Sequence, residues 1–138
     1  MAEILPDDLK IYGLLHDAAE AYIGDIPRPL KQSLMFRDAV RDETVHISQV
    51  ENRIMDVAAK AFGLNAATFK SPAIKRADNL LLGHEAKALK DIQPSEWGLP
   101  TVGKSEPELA KLGCPPNPTN VFFQFVEMFE ALLKSKEV

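Results

Sequence analysis

The stretch that decides the fold runs Leu14-Leu15-His16-Asp17-Ala18-Ala19-Glu20-Ala21-Tyr22-Ile23-Gly24-Asp25, residues 14–25. Its apolar residues recur at helical spacing, and the repeat begins earlier in the chain, so we predict a helix over Pro6–Tyr22. On a helix each residue advances about 100°, so His16 and Glu20 share one face, with Asp17 beside them. The stretch therefore predicts an imidazole and two carboxylates on one polar arc of an otherwise apolar helix.

A polar arc among apolar neighbours needs partners. Burying an imidazole and carboxylates is costly unless they are paired or bind a metal ion. A neutral imidazole beside a carboxylate suits a divalent first-row cation. Asp25 follows a glycine that lets the chain turn sharply, so it could reach back to the same place. For His16 taken alone, a histidine satisfied inside the core is the alternative interpretation.

A second segment, Ile74–Leu82, carries one carboxylate on an apolar helix face. Asp78 interrupts that face, and Glu85 follows about two turns later. Lys75 lies one turn before Asp78. An embedded carboxylate of this kind needs a partner, which Lys75 or a cation could provide.

The rest of the chain predicts an all-α fold. Apolar spacing favours further helices over about Phe36–Phe62, Ser71–Lys90 and Thr119–Lys134, the last with a core stripe of phenylalanines. A proline-rich loop over Gln93–Pro118 precedes the last helix. No alternation typical of strands persists anywhere in the sequence.

Composition limits the protein class. The 138 residues suffice for one domain, 1–138, and the net charge of −4 without a Lys/Arg stripe argues against a polymeric nucleic acid partner. The single cysteine allows no intramolecular disulfide. No apolar run approaches the ~20 residues of a membrane span, and the N-terminus is neither a signal nor a transit peptide. We expect a cytoplasmic protein.

Two motifs resemble one known family. The segment LLHDAAEAYIGDIPRPLK, residues 14–31, is similar to the signature of HD-superfamily metal-dependent phosphohydrolases, particularly the branch similar to bacterial and phage 5′-deoxyribonucleotidases. The segment IKRADNLLLGHEAKAL, residues 74–89, resembles the later part that supplies the last metal ligand. The resemblance spans roughly Leu5–Leu89 and implies an HD-type bundle of about five helices.

The resemblance also implies roles for individual residues. It implies a divalent cation (Mn²⁺, Co²⁺, Mg²⁺ or similar) held by His16, Asp17 and Asp78. Glu20 and Asp25 match the acidic positions that orient or activate the attacking water. These assignments come from the family's pattern and not from the spacing alone.

The chain departs from the family's pattern at one ligand. The family's first metal-binding histidine lies on a helix before the His-Asp helix, and the residues before His16 include no histidine. We therefore expect a chain that is N-terminally shortened, or a naturally degenerate version of the family. The lost helix should uncover apolar surface that a second copy could cover, giving a homodimer.

Lys75 lies near the last predicted metal ligand, Asp78, and is expected to bind the substrate by neutralising its phosphate group.

These observations predict a metal-dependent phosphohydrolase acting on a nucleotide or small phosphate ester, with 5′-nucleotidase-like chemistry. The alternative is a catalytically incomplete HD scaffold that serves as a nucleotide-binding or oligomerisation module. A regulatory domain that binds a signalling nucleotide is a third possibility.

Two histidines and one tryptophan are not assigned to the site. His46 is interpreted as structural or superficial, with replacement of the missing ligand as the alternative. His84 faces away from Asp78 by helical spacing, and we expect it at the solvent surface. Trp97 is expected to anchor the proline-rich loop to the core, or else to cap a pocket.

Overall fold

The computed structural model describes residues 1–90, 93–99 and 117–135. In chain order these residues form α1 (Lys10–Leu14), α2 (Glu20–Ile23), α3 (Arg28–Lys31), β1 (Met35–Asp38), β2 (Glu43–His46), α4 (Ile47–Ala61), α5 (Pro72–Lys90) and α6 (Pro118–Lys134). Short 3₁₀ turns lie at Ala2–Ile4, Asp7–Leu9, Ala66–Lys70 and Pro94–Trp97. The fold is predominantly helical, which confirms the predicted fold class.

The chain forms two compact units. The first consists of Met1–Leu14 with the described part of Phe69–Val138, and the second of Leu15–Thr68. The single domain over 1–138 stays a prediction. None of the helices in the described ranges has the length and apolar character needed to cross a membrane.

In the first unit, α1 packs against α6 and against the two N-terminal 3₁₀ turns. The Tyr12 and Phe69 rings meet edge to face, with their centroids 5.1 Å apart. The buried face of α5 repeats at helical spacing and consists of Ile74, Ala77, Leu80 and Ala86. These positions match the apolar periodicity that predicted the helix.

Two helices begin where the sequence predicts. Ser71 caps α5, because its hydroxyl oxygen accepts a hydrogen bond from the Ile74 N–H at 3.4 Å. Asn117 caps α6, because its side-chain oxygen accepts from the Thr119 N–H at 2.8 Å. Both caps satisfy N–H groups that have no partner inside the first turn.

The end of α4 is also as predicted. Gly63 has a φ of 61°, the left-handed conformation that follows many helices. The Leu64 N–H then donates to the Ala59 carbonyl at 2.8 Å, and the Gly63 N–H donates to the Lys60 carbonyl at 3.3 Å. This pair of hydrogen bonds satisfies carbonyls that the helix itself leaves open.

The predicted continuous helix over Pro6–Tyr22 is wrong. After α1 ends, residues 15–19 form successive tight turns, in which the Ala18 N–H donates to the Leu15 carbonyl at 3.0 Å. Gly13 contributes to this break, because glycine disfavours a helix interior by about 1 kcal/mol. Gly13 also lets the Leu5 side chain approach where a Cβ would collide with it.

The first third of the predicted helix over Phe36–Phe62 is a β-hairpin. β1 and β2 pair antiparallel, with Phe36 opposite Val45, and α4 begins only at Ile47. Val45 is buried, so the apolar spacing that suggested a helix reflects burial on a strand. β-branched and aromatic residues fit the pleated, half-buried surface of a strand. This preference explains why the segment forms a hairpin although its apolar spacing predicts a helix.

The hairpin turn depends on two aspartates. The Asp38 carboxylate accepts from the backbone N–H groups of Val40 at 3.0 Å and Arg41 at 3.1 Å. Asp42 has a φ of 51°, a left-handed conformation that aspartate tolerates better than most residues. Local side-chain hydrogen bonds of this kind compete with a helix.

His46 joins the hairpin to α4 as its N-cap. Its Nδ1 accepts from the Ser48 N–H at 3.2 Å, and its Nε2 lies 3.2 Å from the Gln32 carbonyl oxygen. Because Nδ1 accepts, Nε2 carries the hydrogen and donates to Gln32. The Gln49 side chain accepts from the His46 N–H at 3.0 Å in return. These contacts favour the structural interpretation of His46.

The expected phenylalanine core on α6 is wrong. Phe122 is 62% exposed and Phe125 38% exposed, and α6 has no buried residue. The physical reason is length, because the 17-residue α6 packs against the 5-residue α1. A short helix cannot cover the apolar stripe of a long one.

The start of the proline-rich segment also differs from expectation. Pro94 is buried and Trp97 is 51% exposed, so Pro94 and not Trp97 provides the buried contact. Most of the predicted loop, including Cys114, lies outside the described residues.

We predict that His46→Ala lowers the free energy of unfolding by about 1–2 kcal/mol, because it removes both the cap and the Gln32 contact. Urea denaturation measures the loss. Asp56→Ala on exposed α4 surface is the control and should change stability by less than about 0.5 kcal/mol. Equal stability of His46→Ala and the wild type would contradict the capping role.

Candidate functional site

Four predicted site residues lie together in the second unit. The turns after Leu15 carry His16 and Asp17, and α2 begins at Glu20. Gly24, with a φ of 77°, then turns the chain so that Asp25 follows α2 directly. We call these four residues, together with Lys31 and Glu51, the acidic site.

His16 and Asp17 form a direct pair. The His16 Nε2 lies 2.7 Å from the Asp17 Oδ2, and the two side chains are 23% and 57% exposed. The tight turn, and not a shared helical face, brings these neighbours into contact. At this distance the His16 Nε2–H donates a hydrogen bond to the carboxylate, which leaves Nδ1 as the ring nitrogen that could bind a divalent cation.

Glu20 lies in a field of negative charge. Burial raises its pKa above the usual range, and the carboxylates of Asp17 and Asp25 raise it further. Lys31 and His16 partly offset this effect. The interactions confirm that Asp17, Glu20 and Asp25 are electrostatic neighbours. A carboxyl group with a raised pKa holds its proton more readily than an ordinary carboxyl group, which suits a role in proton transfer.

Lys31 and Glu51 complete the acidic site and were not predicted. The Lys31 Nζ lies 2.6 Å from the Glu51 Oε1, which connects α3 to α4. Hydrogen bonding to Glu51 raises the pKa of Lys31, burial opposes the rise, and the negative charges of Glu51, Glu20 and Asp17 support it. The available signal was a lysine six residues after Asp25, at the end of the quoted motif.

The other two predicted site residues lie on α5, in the first unit. Asp78 is half-buried and Lys75 is exposed. His84 is half-buried rather than at the surface as expected, and Glu85 is exposed. The helix places Asp78 one turn after Lys75, as the sequence predicts.

The acidic site fits part of a cation site. His16 and Asp17 supply two ligands of the type that first-row divalent ions take, and Glu20 and Asp25 add negative charge nearby. Across residues 1–90, 93–99 and 117–135, no group of three or more His, Cys, Asp or Glu side chains is arranged to hold a metal ion. The acidic site alone therefore offers an incomplete set of ligands.

An open groove of about 780 Å³ lies elsewhere in the second unit, between the hairpin and α4. Its lining is mostly apolar and includes Tyr22, Phe36, Val57 and Phe62. Tyr22 follows Glu20 by two residues, so on a helix the two side chains point about 200° apart. We call this cavity the hairpin groove and treat it as separate from the acidic site.

Comparison with known proteins gives one distant relative. The chain is 28% identical over 135 residues to the uncharacterized protein YfdR of Escherichia coli strain K12. The aligned part covers 95% of this chain and 66% of that protein, so the chain spans slightly less than two thirds of its relative. No family model matches the chain, and no solved structure matches it.

We predict that Glu20→Gln stabilises the protein at pH 7 by about 0.5 kcal/mol. A carboxyl group with a raised folded pKa binds its proton more tightly when folded, so its favourable contribution is present at low pH. That contribution is lost as pH rises from the unfolded value of 4.5 through the folded pKa. The gain from Glu20→Gln should therefore disappear at acidic pH.

The matched control is Glu51→Gln, which removes the partner of Lys31 and should destabilise the protein at pH 7. Thermal unfolding between pH 4 and pH 8 measures both variants. A Glu20→Gln protein less stable than the wild type at pH 7 would contradict the desolvation of Glu20.

Proposed function

We propose that the chain is a metal-dependent phosphohydrolase that acts on a nucleotide or small phosphate ester, with 5′-nucleotidase-like chemistry. The observation that carries this proposal is the 2.7 Å His16–Asp17 pair beside Glu20, whose carboxyl group is desolvated and surrounded by like charge. Paired metal-ligand types next to a proton-transfer group are what a hydrolytic site requires. The resemblance of residues 14–31 and 74–89 to the HD superfamily supports the same reading.

In this proposal each residue has one role. His16 and Asp17 would hold the cation, which when bound would polarise the phosphoryl group and acidify water. The contact of Asp17 with the His16 Nε2 orients the imidazole ring.

Glu20 and Asp25 carry out the proton transfers. Glu20, with its raised pKa, holds a proton more readily than an exposed carboxylate and can donate it to the leaving oxygen. Asp25 lies in the loop after α2 and is exposed, so it can orient or deprotonate a water molecule. Two carboxyl groups in unequal environments fit the two different tasks of acid and base. A cytoplasmic location is part of this proposal.

The second candidate is a catalytically incomplete scaffold that binds a nucleotide or forms oligomers. One observation favours it, because the described residues hold no three-ligand group of His, Cys, Asp and Glu. The exposed apolar face of α6 is compatible with a homodimer, which is part of this second candidate.

We predict that the protein releases phosphate from nucleoside 5′-monophosphates when Mn²⁺ or Co²⁺ is added. Asp17→Ala should lower the rate at least a hundredfold, because loss of a ligand weakens the metal site and its charge. Released phosphate is measured colorimetrically.

The control is Asp56→Ala, which removes an exposed carboxylate of α4 away from the acidic site. It should keep wild-type activity. Calorimetric titration with Mn²⁺ separates the two candidates. A wild-type protein that shows no binding heat and releases no phosphate contradicts the enzyme and leaves the scaffold.

A further inference from the structure

We infer that Lys31, held by Glu51, is the residue that binds the phosphate group of the ligand at the acidic site. The inference rests on the proposed function and deepens it by naming a substrate-binding residue outside the motif positions. It also differs from the sequence prediction, which gave that role to Lys75.

The first argument is placement. Lys31 is the last residue of α3, and its backbone N–H donates to the Pro27 carbonyl at 3.0 Å. The loop between α2 and α3 is short, so Lys31 follows Asp25 by only six residues. Its ammonium group lies close enough to Glu20 and Asp17 for their charges to raise its pKa.

The second argument is anchoring. The Lys31 side chain is 32% exposed and its Nζ lies 2.6 Å from Glu51, whose side chain is 19% exposed. A half-buried ion pair fixes the position of the ammonium group, so less side-chain freedom is lost when a ligand binds. An unanchored surface lysine lacks this advantage.

The third argument is donor capacity. A lysine ammonium has three N–H donors, and the contact with Glu51 uses one of them. The others can donate to phosphate oxygens without breaking the ion pair. A dianionic phosphate beside Asp17, Glu20 and Asp25 needs positive charge, and Lys31 provides it from within the same unit.

The arginines of the second unit are less suited to this role. Arg53 donates to Asp38 at 2.9 Å and to Glu43 at 2.6 Å, and Arg37 donates to Asp42 at 2.6 Å. Carboxylates of the hairpin therefore already neutralise these guanidinium groups. Arg28 lies on α3 with Lys31 but is exposed, which makes it a matched control.

The experiment measures binding of inorganic phosphate in the presence of Mg²⁺ by calorimetry. Lys31→Met should weaken binding about ten- to a hundredfold, since it removes charge-assisted hydrogen bonds. Lys31→Arg should keep most of the affinity. Arg28→Met and Lys75→Met change the net charge equally and should stay within about threefold of the wild type.

Turnover gives a second readout. With a nucleoside monophosphate and Mn²⁺, Lys31→Met should raise KM with little change in kcat, because it removes binding common to ground and transition states. If Lys31 had a purely structural role, Lys31→Met would instead lower the amount of folded protein and would not raise KM selectively. The double variant Lys31→Met/Glu51→Gln leaves no unpaired carboxylate and should show the same loss of phosphate binding.

The outcomes separate the two proposals. Wild-type affinity in Lys31→Met, equal losses in Arg28→Met or Lys75→Met, or a wild type that binds no phosphate overturns the assignment of Lys31. Phosphate binding that depends on Lys31 without any turnover supports the assignment and contradicts the enzyme. Turnover that is unchanged in Lys31→Met supports the enzyme and contradicts the assignment of Lys31.

Discussion

The half-buried carboxylate of Glu20, close to the charges of Asp17 and Asp25, is the constraint around which the second unit is arranged. Asp17, Glu20 and Asp25 follow one another within nine residues, and the fold half-buries Glu20 among them. Desolvation and mutual repulsion of carboxylates cost free energy unless cations compensate. The Lys31–Glu51 ion pair and the His16–Asp17 contact supply part of that compensation. The remaining imbalance makes a cationic ligand favourable at this place.

In the hairpin, by contrast, arginines pair with the carboxylates. Its ion pairs hold three arginines and three acids, since Arg37 is paired with Asp42, and Arg41 and Arg53 are both paired with Asp38 and Glu43. Hydrogen bonds from the backbone N–H groups of Arg41 and Val40, together with the charges of Arg41 and Arg53, lower the pKa of Asp38. Exposed ion pairs of this kind contribute little to stability. Here the ion pairs are part of the hairpin geometry, in which β1 and β2 form where the sequence predicts the start of a helix.

The sequence is sufficient to predict those helix boundaries that have recognisable caps. Ser71, Asn117 and Gly63 mark boundaries through local hydrogen bonds and backbone conformation, which depend on the neighbouring residues alone. The hairpin could not be read this way, because Phe36 and Val45 derive their stability from a cross-strand contact. The break after Leu14 likewise depends on the approach of distant residues to Gly13.

The acidic site likewise contains residues that a local pattern predicts and residues that only the tertiary structure brings together. His16, Asp17, Glu20 and Asp25 are contiguous, so a short motif sufficed to group them, even though the predicted helical face is in reality a run of turns. Glu51 reaches Lys31 from a helix twenty residues later, and no local pattern predicts such a pair. The exposed α6 phenylalanines show the converse, because helical spacing indicates which residues are apolar but not whether a partner covers them.

Under the proposed function, the phosphate is better matched to the acidic site than to the hairpin groove. The groove is mostly apolar, and the arginines that line it are engaged with carboxylates. An anion bound there would have to displace those carboxylates and lose their hydrogen bonds. At the acidic site, one anchored lysine and a histidine lie beside an excess of acids. In that proposal, a cation bound together with the phosphate would relieve the excess of negative charge, so metal and anion would favour each other's binding.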